Sequence, residues 1–585
     1  MNPLQRRILI ALSVLIAATR LLAVARSLND WDEALFSLGV AEYDVTHHWP
    51  HPPGYPLFIA AAKAVHLFGV NEFRSLQTIV LLGAFFLFPA LFFLAREIGF
   101  DYATSICGAL LFSFLPNVWV YGGTGFSDVP SIVLGLTACA LLLAGRRSRR
   151  AFLLGAIVLG IAGGFRIPNL IIGAVPALIA TWHRLRARDF GAVIAAMLLG
   201  GAIAGGSYLG AALASDTLEN YRAVVKVQQQ YVHDVDSWHN PGRPPLRDAA
   251  KTFFLWPIQQ QQHMTGLTAF AILGLLAAAI ARRWRLLLPL AIFGPLMITS
   301  WLNLDIEAAG RYAIAYMAVH ALFAAHALRV IGRRPAIQAA LATAIALVFA
   351  IWLWPGLTLQ RTTEPPPAAA LLWVTRNVPK GSAVYVHGAF GPHARYLLPD
   401  YQTSFYEQIE KIAQVSSDAW AVEPAVVESA PRTFLWPHTN PLWKVIRRRN
   451  FETSVVRLAT VVQFGNGWYS SEGSTSEIFR WMGHESFALL PAIPNGGALS
   501  MRMYVPIDTI PPPAIEVWMN GKLVERFIGS TATIEKSWRL PSRTDGPNEL
   551  RIRTSGVAVP AKVRASDDTR ELGLRMDGLS WMPLR

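Results

Sequence analysis

Charge is scarce in this chain. Only 15% of its 585 residues are Asp, Glu, Lys or Arg, against about 25% in an ordinary soluble domain. The deficit is confined to the part before about residue 355, where apolar runs of roughly 17–25 residues, the length of a bilayer crossing, recur. Cysteine is nearly absent: Cys107 and Cys139 both lie inside apolar runs, and none follows them. That excludes a disulfide framework in the C-terminal region. This region is nevertheless long enough to bury a core of its own. There is no internal repeat and no long low-complexity tail. Although the net charge is +14, no basic stripe with interleaved aromatics occurs, which argues against a nucleic-acid partner.

The excess positive charge has a simpler use. From Arg361 to Arg585 there are 25 Lys and Arg against 21 Asp and Glu, a net of +4, so +10 sits in the apolar part. Its arginines cluster in short loops: Arg6 and Arg7, Arg96, Arg146 to Arg150, Arg184 to Arg188, Arg282 to Arg285, and Arg333 with Arg334. Eleven spans place every cluster on one side, and the positive-inside rule makes that side cytoplasmic. The apolar stretch Ile8 to Ala25 is expected to be an uncleaved signal anchor, with Arg20 snorkelling to the outer interface. Ala151 to Trp182 must hold two thin spans, broken at GGFRIPN (Gly163 to Asn169). Such breaks are tolerated at membrane depth where they line a cavity; a plain short turn is the simpler reading. The expected fold is an α-helical polytopic membrane domain over 1–355, with a cytoplasmic N-terminus and an extracytoplasmic C-terminal region.

That C-terminal region reads as two parts. Over 365–463, ALLWVTRNVP and PLWKVIRRRN read as helices, and SAVYVHG, RTFLW and TSVVRLATVVQF as strands, which predicts a small α/β unit. From 464 to 585 the pattern turns to period two in LSMRMYVPI, AIEVWMNGKLVERF, TIEKSWRL, NELRIRTSG and LGLRMDGLSW. Asn520-Gly521 marks a hairpin, and the whole predicts a β-sandwich.

Titratable groups are concentrated in the loops assigned to the outer face. NDWDEALFSLGVAEYDVTHHWPHPPGYPLF, Asn29 to Phe58, carries Asp32 and Glu33 just after the first span, and His47, His48 and His51 further on. A partly desolvated carboxylate has a raised pKa, which suits general-base work; a solvated loop is the bland alternative. The histidines lack the spacing of a zinc motif. Asp128, in YGGTGFSDVPS, either caps the following helix, as Ser127 also can, or serves a site. Arg166 and Arg311 lie on the outer side, against the positive-inside trend, and a guanidinium suits a lipid phosphate. Asp234, Asp236, Trp238 and His239 form a further polar loop, read as solvated or as facing a polar ligand.

The order of these motifs resembles a known family. An outer-loop Asp-Glu, a His-Pro-Pro-x-Tyr-Pro segment, an acidic residue before span 4, an outward Arg after span 5 and a late Arg-Tyr are similar to the GT-C glycosyltransferases that use polyprenyl-phosphate sugars. Within them the pattern resembles the protein O-mannosyltransferase, aminoarabinose transferase and RgtA/B/C/D-like groups. The resemblance implies that Asp32 is the general base toward an acceptor hydroxyl, with Glu33 beside it and Asp128 orienting acceptor or base. It implies inverting transfer, with Arg166 and Arg311 neutralising the departing lipid phosphate and His51 and Tyr55 lining the donor site. The implied partners are a polyprenyl-phosphate sugar, a glycan, glycolipid or protein acceptor, and membrane lipids, and the implied location is a bacterial inner membrane. No cofactor is expected, although the Asp30-x-Asp32 spacing is one a divalent cation can use. The C-terminal sandwich resembles sugar-binding accessory domains. Two rival functions remain: a carrier or flippase for lipid-linked sugar, and a membrane-anchored binding protein acting through the sandwich.

Overall fold

The structure is a computed structural model that describes residues 1–255, 262–407, 409, 419–427, 430–447, 451–458, 462–474, 477–492, 496–543, 546–563 and 566–583. The chain divides into two units. The first comprises Met1–Ala368 and Trp436–Phe451; the second comprises Ala369–Leu435 and Glu452–Arg585.

The first unit is helical. A helix covers each apolar segment of the sequence: Pro3–Arg20, Glu72–Ile98, Tyr102–Phe114, Asp128–Ala144, Arg149–Phe165, Pro168–Arg186, Phe190–Ser215, Gln262–Ile280, Leu288–Asn303, Met317–Gly332 and Pro335–Thr362. Among the described residues, four helices are long and apolar enough by themselves to cross a membrane. A fifth is added if the pair Ile306–Ala315 and Met317–Gly332, bent by 64°, counts as one. The two helices reach into the basic loops at their far ends, one beginning at Arg149 and the other ending at Arg186, and the break between Phe165 and Pro168 is short. Pro168 sits at the first position of its helix, where its missing N–H costs nothing.

Arg20 departs from expectation. It is not at an interface but 1% exposed. Its Nη1 donates to the Ser113 carbonyl at 2.6 Å, and its guanidinium lies 5.3 Å and 4.8 Å from the Phe114 and Trp119 rings. A carbonyl and two π faces satisfy the charge inside the bundle, so it has no need to snorkel.

The loop after the first helix is locked down by backbone bonds. The Ala25 N–H donates to the Gly123 carbonyl at 2.9 Å, and Gln77 Nε2 donates to both the Ala25 and Gly123 carbonyls. Gly123 approaches so closely that a Cβ there would stand 1.9 Å from the Ala23 oxygen, so only glycine fits. This holds the segment before Asp128 against the segment before Asp32.

The described part of PLWKVIRRRN, residues 441–447, is not an α-helix. It holds one 3₁₀ turn, Pro441–Lys444, capped by Asn440, and Arg448, Arg449 and Asn450 lie outside the described residues. Trp436, Leu442, Val445, Ile446 and Phe451 are buried in the apolar core of the helical unit. Leu442 packs on Gly356, and Asn440 donates to the Pro355 carbonyl at 3.3 Å. Leu442, Val445 and Ile446 are the buried residues of 441–447.

Among its described residues the second unit has three five-stranded sheets. The mixed sheet contains Ala383–His387, flanked by parallel strands Thr403–Tyr406 and Ala419–Glu423, then Glu452–Arg457 and Arg432–Leu435 running antiparallel. The predicted helix over ALLWVTRNVP is present as Pro366–Asn377, while TSVVRLATVVQF splits. Its first half joins this sheet, 459–461 lie outside the described residues, and Gln463–Phe464 pairs in another sheet. The other two sheets are antiparallel and share one apolar core, with Met501, Met503 and Met576 from one and Val517, Leu550 and Ile552 from the other. The hairpin turn has positive φ at both Asn520 and Gly521, as a type I′ turn requires.

Candidate active site

The tetrad Asp30-Trp-Asp32-Glu33 opens the helix Trp31–Ala41, and helix-capping geometry decides what each acid does. Asp30 is the N-cap: its side chain accepts from the Asp32 N–H at 3.2 Å. Glu33 is the third residue and reaches back, completing a capping box. Its Oε2 accepts from the Asn29 and Asp30 N–H groups at 2.7 and 3.1 Å, and its Oε1 from the Gly125 N–H at 2.7 Å. Both acids are thus engaged with backbone, and Asp32 is left to project away from the cap.

These bonds give Glu33 a structural engagement beyond the catalytic expectation. The residue is 0% exposed, with both oxygens occupied, and it ties the first outer loop to the loop before Asp128. Asp30 Oδ1 is meanwhile engaged as the helix cap. Among the described residues no group of three or more His, Cys, Asp or Glu could hold a metal ion. Burial pushes the Glu33 carboxyl up to about 7. Since that lies above its unfolded value, the fold prefers the protonated acid, and stability falls as pH rises through that window. Glu33→Gln cannot ionise, and it loses one acceptor to the backbone. We expect it to be less stable than wild type by about 1–3 kcal/mol at pH 5, with the gap narrowing at pH 8. Thermal melts at the two pH values check this; a gap that widens with pH would contradict it.

Asp32 enters the site from this cap. Arg311 Nη1 donates to its Oδ2 at 2.5 Å, and His51 Nδ1 lies 3.8 Å from its Oδ1. These partners are 279 residues and 19 residues away in sequence respectively. Burial alone would raise the Asp32 pKa, but the positive charge of Arg311, with a smaller contribution from Arg447, holds it well below the usual carboxylate range.

The His-Pro-Pro segment folds so that its two polar rings meet. His51 Nε2 and the Tyr55 hydroxyl are 2.9 Å apart, and Phe36 packs on both rings, at centroid distances of 5.4 and 4.9 Å. Burial lowers the pKa of His51, so the ring is neutral at pH 7. Its Nδ1 has no hydrogen-bond partner. Tyr55 has φ 48° and ψ 49°, left-handed for a bulky residue and directly before Pro56, which disfavours helical backbone in the preceding residue. A conformation of this kind costs about 1–3 kcal/mol and is found where a function holds it. The loop is pinned from outside by the Tyr43 hydroxyl on the Gly54 carbonyl (3.0 Å) and the Tyr221 hydroxyl on the Pro53 carbonyl (2.8 Å).

Asp128 stands in the first turn of Asp128–Ala144, but neither it nor Ser127 caps that helix through a side chain. Arg166 Nη1 donates to Asp128 Oδ1 instead. Asp128 Oδ2 lies 4.0 Å from Arg311 Nε, and neither of these two buried atoms has a hydrogen-bond partner. Arg166 occupies the break between its two helices in extended backbone, and its guanidinium is 6.0 Å from the Tyr55 ring. Arg311 sits on the one-turn helix Ala309–Tyr312, with its guanidinium 4.7 Å from Phe126 and 5.0 Å from Tyr312. Asn117 Nδ2 donates to the carbonyl of Gly310 just before it, at 2.7 Å.

The residues Asp32, His51, Tyr55, Asp128, Arg166 and Arg311 therefore form one connected cluster, Asp32–Arg311–Asp128–Arg166 by charge and His51–Tyr55 against it. Each carboxylate meets one guanidinium closely, and Arg311 bridges the two pairs. The unpartnered atoms, His51 Nδ1, Asp128 Oδ2 and Arg311 Nε, give the cluster both acceptor and donor capacity for a polar ligand.

Four residues enlarge the cluster beyond the sequence-based set: Phe126, Tyr312, Asp305 and Arg447. Arg447 Nη2 donates to Asp305 Oδ2 at 2.7 Å. The loop Gln228 to Arg243 divides. His233, Asp234, Trp238 and His239 engage one another, with His239 stacked on His233 and tilted against Trp238. Burial, then the nearby Asp305, pushes Asp236 up to about 6. Arg243 donates to the carbonyls of Trp301, Leu302 and Leu304, closing the C-terminus of the helix that leads to Asp305.

No family model matches the sequence, and no curated protein does. Among solved structures the chain is similar to the crystal structure of ArnT from Cupriavidus metallidurans bound to undecaprenyl phosphate: TM-score 0.45, 13% identity, covering 78% of this chain and 98% of that one. It is similar also to arabinofuranosyltransferase AftD from Mycobacteria (TM-score 0.42, 12% identity, 100% of this chain and 59% of that one). A third is arabinosyltransferase EmbB from Mycobacterium smegmatis (TM-score 0.39, 11% identity, 100% and 65%).

Proposed function

We propose that this chain is an integral membrane glycosyltransferase of GT-C type, moving a sugar from a polyprenyl-phosphate donor to an acceptor outside the cytoplasm. The observation that carries the reading is the convergence of Asp32 and Asp128 with Arg166 and Arg311 in one buried cluster, drawn from four distant segments. In the proposed topology eleven spans cross a bacterial inner membrane, the N-terminus is cytoplasmic, and this cluster opens on the opposite face. The acceptor is an envelope glycan, a glycolipid or a protein.

In the transfer, the acceptor hydroxyl gives its proton to Asp32 as its oxygen attacks C1 of the sugar from the face opposite the phosphate. The C1–O bond to phosphate breaks, its electron pair leaves with the polyprenyl phosphate, and the configuration inverts. Arg311 and Arg166 neutralise the charge that builds on that phosphate. The same arginine that neutralises the phosphate also sets the base. While the site is empty, Arg311 holds Asp32 at low basicity. An anion seated against Arg311 offsets that positive charge, and the pKa of Asp32 rises toward the range useful for proton abstraction. The neutral His51, free at Nδ1, and Tyr55 line the donor side. Asp128 keeps Arg166 in place and orients the acceptor. The chemistry uses only these side chains, with no metal.

The test is incubation of the reconstituted chain with a panel of polyprenyl-phosphate sugars and a cell-envelope extract, followed by mass spectrometry of the lipids. Release of free polyprenyl phosphate from one donor is expected. Lipid-linked sugar that stays bound and intact with every donor would favour a carrier instead.

A further inference from the structure

The polar group around Asp305 links the cluster to a part of the chain that sequence alone assigns to the soluble region. Arg447 lies on Trp436–Phe451, the stretch joining strand Arg432–Leu435 to strand Glu452–Arg457, and this stretch belongs to the helical unit. It is seated there by Trp436, Leu442, Val445, Ile446 and Phe451. Arg447 meets Asp305, and Asp305 is a joint. Its Oδ1 accepts from the Glu307 N–H at 2.9 Å, capping the turn Ile306–Ala308, while its Oδ2 accepts from Arg447 Nη2 at 2.7 Å. The turn runs directly into Ala309–Tyr312, which presents Arg311 to Asp32 and Asp128. Both oxygens of one carboxylate are thus committed, one to the turn that carries Arg311 and one to the inserted segment.

We propose that Arg447 is a positioning residue of the active site: by holding Asp305 it fixes the turn that presents Arg311, so that productive geometry requires the inserted segment Trp436–Phe451 to be seated. The kinetic part of this inference rests on the transferase reading; the positional part does not. A guanidinium at the joint does what an apolar side chain cannot, because the bond to Asp305 is charge-assisted and directional. Loose placement of a transition-state group is costly, since a shift of about 1 Å can lower a rate by about 100-fold.

The experiment uses the full chain in lipid nanodiscs with Arg447→Ala, Arg447→Lys, Asp305→Asn and the double variant Arg447→Ala/Asp305→Asn. Two readouts are taken: kcat and KM for release of polyprenyl phosphate, and hydrogen exchange of the peptide covering 303–312. Arg447→Ala is expected to lower kcat by about 10- to 100-fold with a smaller change in KM. Lysine should recover part of the loss, and the double variant should be no slower than the slower single. Exchange over 303–312 should quicken in Arg447→Ala and in Asp305→Asn. A purely architectural role would reduce the folded fraction and leave the kcat of the folded protein unchanged. Wild-type kcat in Arg447→Ala, losses that multiply in the double variant, or unchanged exchange would each overturn the proposal. A wild type that releases nothing from any donor would count against the transferase reading, and the exchange result would still decide whether Arg447 holds the turn. If Arg447→Ala does not fold, Arg447→Lys and Asp305→Asn carry the same comparison.

Discussion

Asp32→Asn should lower kcat for polyprenyl-phosphate release by about 10²–10⁴-fold, the usual contribution of a positioned general base, while donor binding is retained. The substitution is nearly isosteric and keeps an oxygen for Arg311, so the cluster should keep its shape. It removes the one carboxylate of the Asp30-Trp-Asp32-Glu33 tetrad that is not engaged in capping. It also releases Arg311 from a formal negative charge at 2.5 Å, so affinity for polyprenyl phosphate should be equal or higher. Parallel measurement of turnover and of polyprenyl-phosphate binding separates the two effects. Turnover within a factor of about ten of wild type would be too high for loss of a general base and would remove Asp32 from that role. Glu33→Gln makes the complementary case: its expected defect is in stability and placement, with no direct loss of a proton acceptor.

The contrast between these neighbouring acids separates what is legible in the sequence from what is not. Asp32, His51, Tyr55, Asp128, Arg166 and Arg311 are legible as candidates because each is a polar residue beside an apolar run, where burial demands a partner, and the fold brings the six together. Their partners were not legible, since Arg311 and Asp32 are joined only by the packing of the bundle. The backbone partners of Glu33 have a local signal: Asp30-x-x-Glu33 has the spacing of a capping box, and the structure forms that box. Arg20 was misplaced because no local pattern reveals that Ser113, Phe114 and Trp119 surround it. The C-terminal strands were read well because alternation and Asn520-Gly521 are local signals. Arg447 was out of reach. Its local text, a run of arginines after PLWKVI, describes a solvated helix equally well, and only the tertiary fold reveals that the segment turns back into the helical unit.

Arg311→Ala should be the most damaging single change in the cluster, in stability as well as rate. Arg311 stands within 2.5 Å of Asp32 and 4.0 Å of Asp128, and with it gone Asp32 has only the neutral His51 close by. Removing one partner of a buried ion pair typically costs about 3–5 kcal/mol. Part of that is recovered if Asp32 takes up a proton, and this gives the variant a distinctive pH response. In wild type the folded pKa of Asp32 is depressed, so its stabilising contribution is present above the unfolded carboxylate pKa and is lost as pH falls through the folded value. In Arg311→Ala the depression is gone, burial prevails, and the sign reverses: acidification should stabilise the variant relative to wild type. The stability gap should therefore be largest near neutral pH and shrink toward pH 4. Lysine at 311 should restore much of the stability but less of the rate, because a single ammonium cannot address two carboxylates and a phosphate as a planar guanidinium does. Melting curves of wild type, Arg311→Ala and Arg311→Lys between pH 4 and 8, with turnover measured on the same samples, decide it. A gap independent of pH would mean that Arg311 does not set the ionisation of Asp32, and the coupling of base strength to donor phosphate would fail with it.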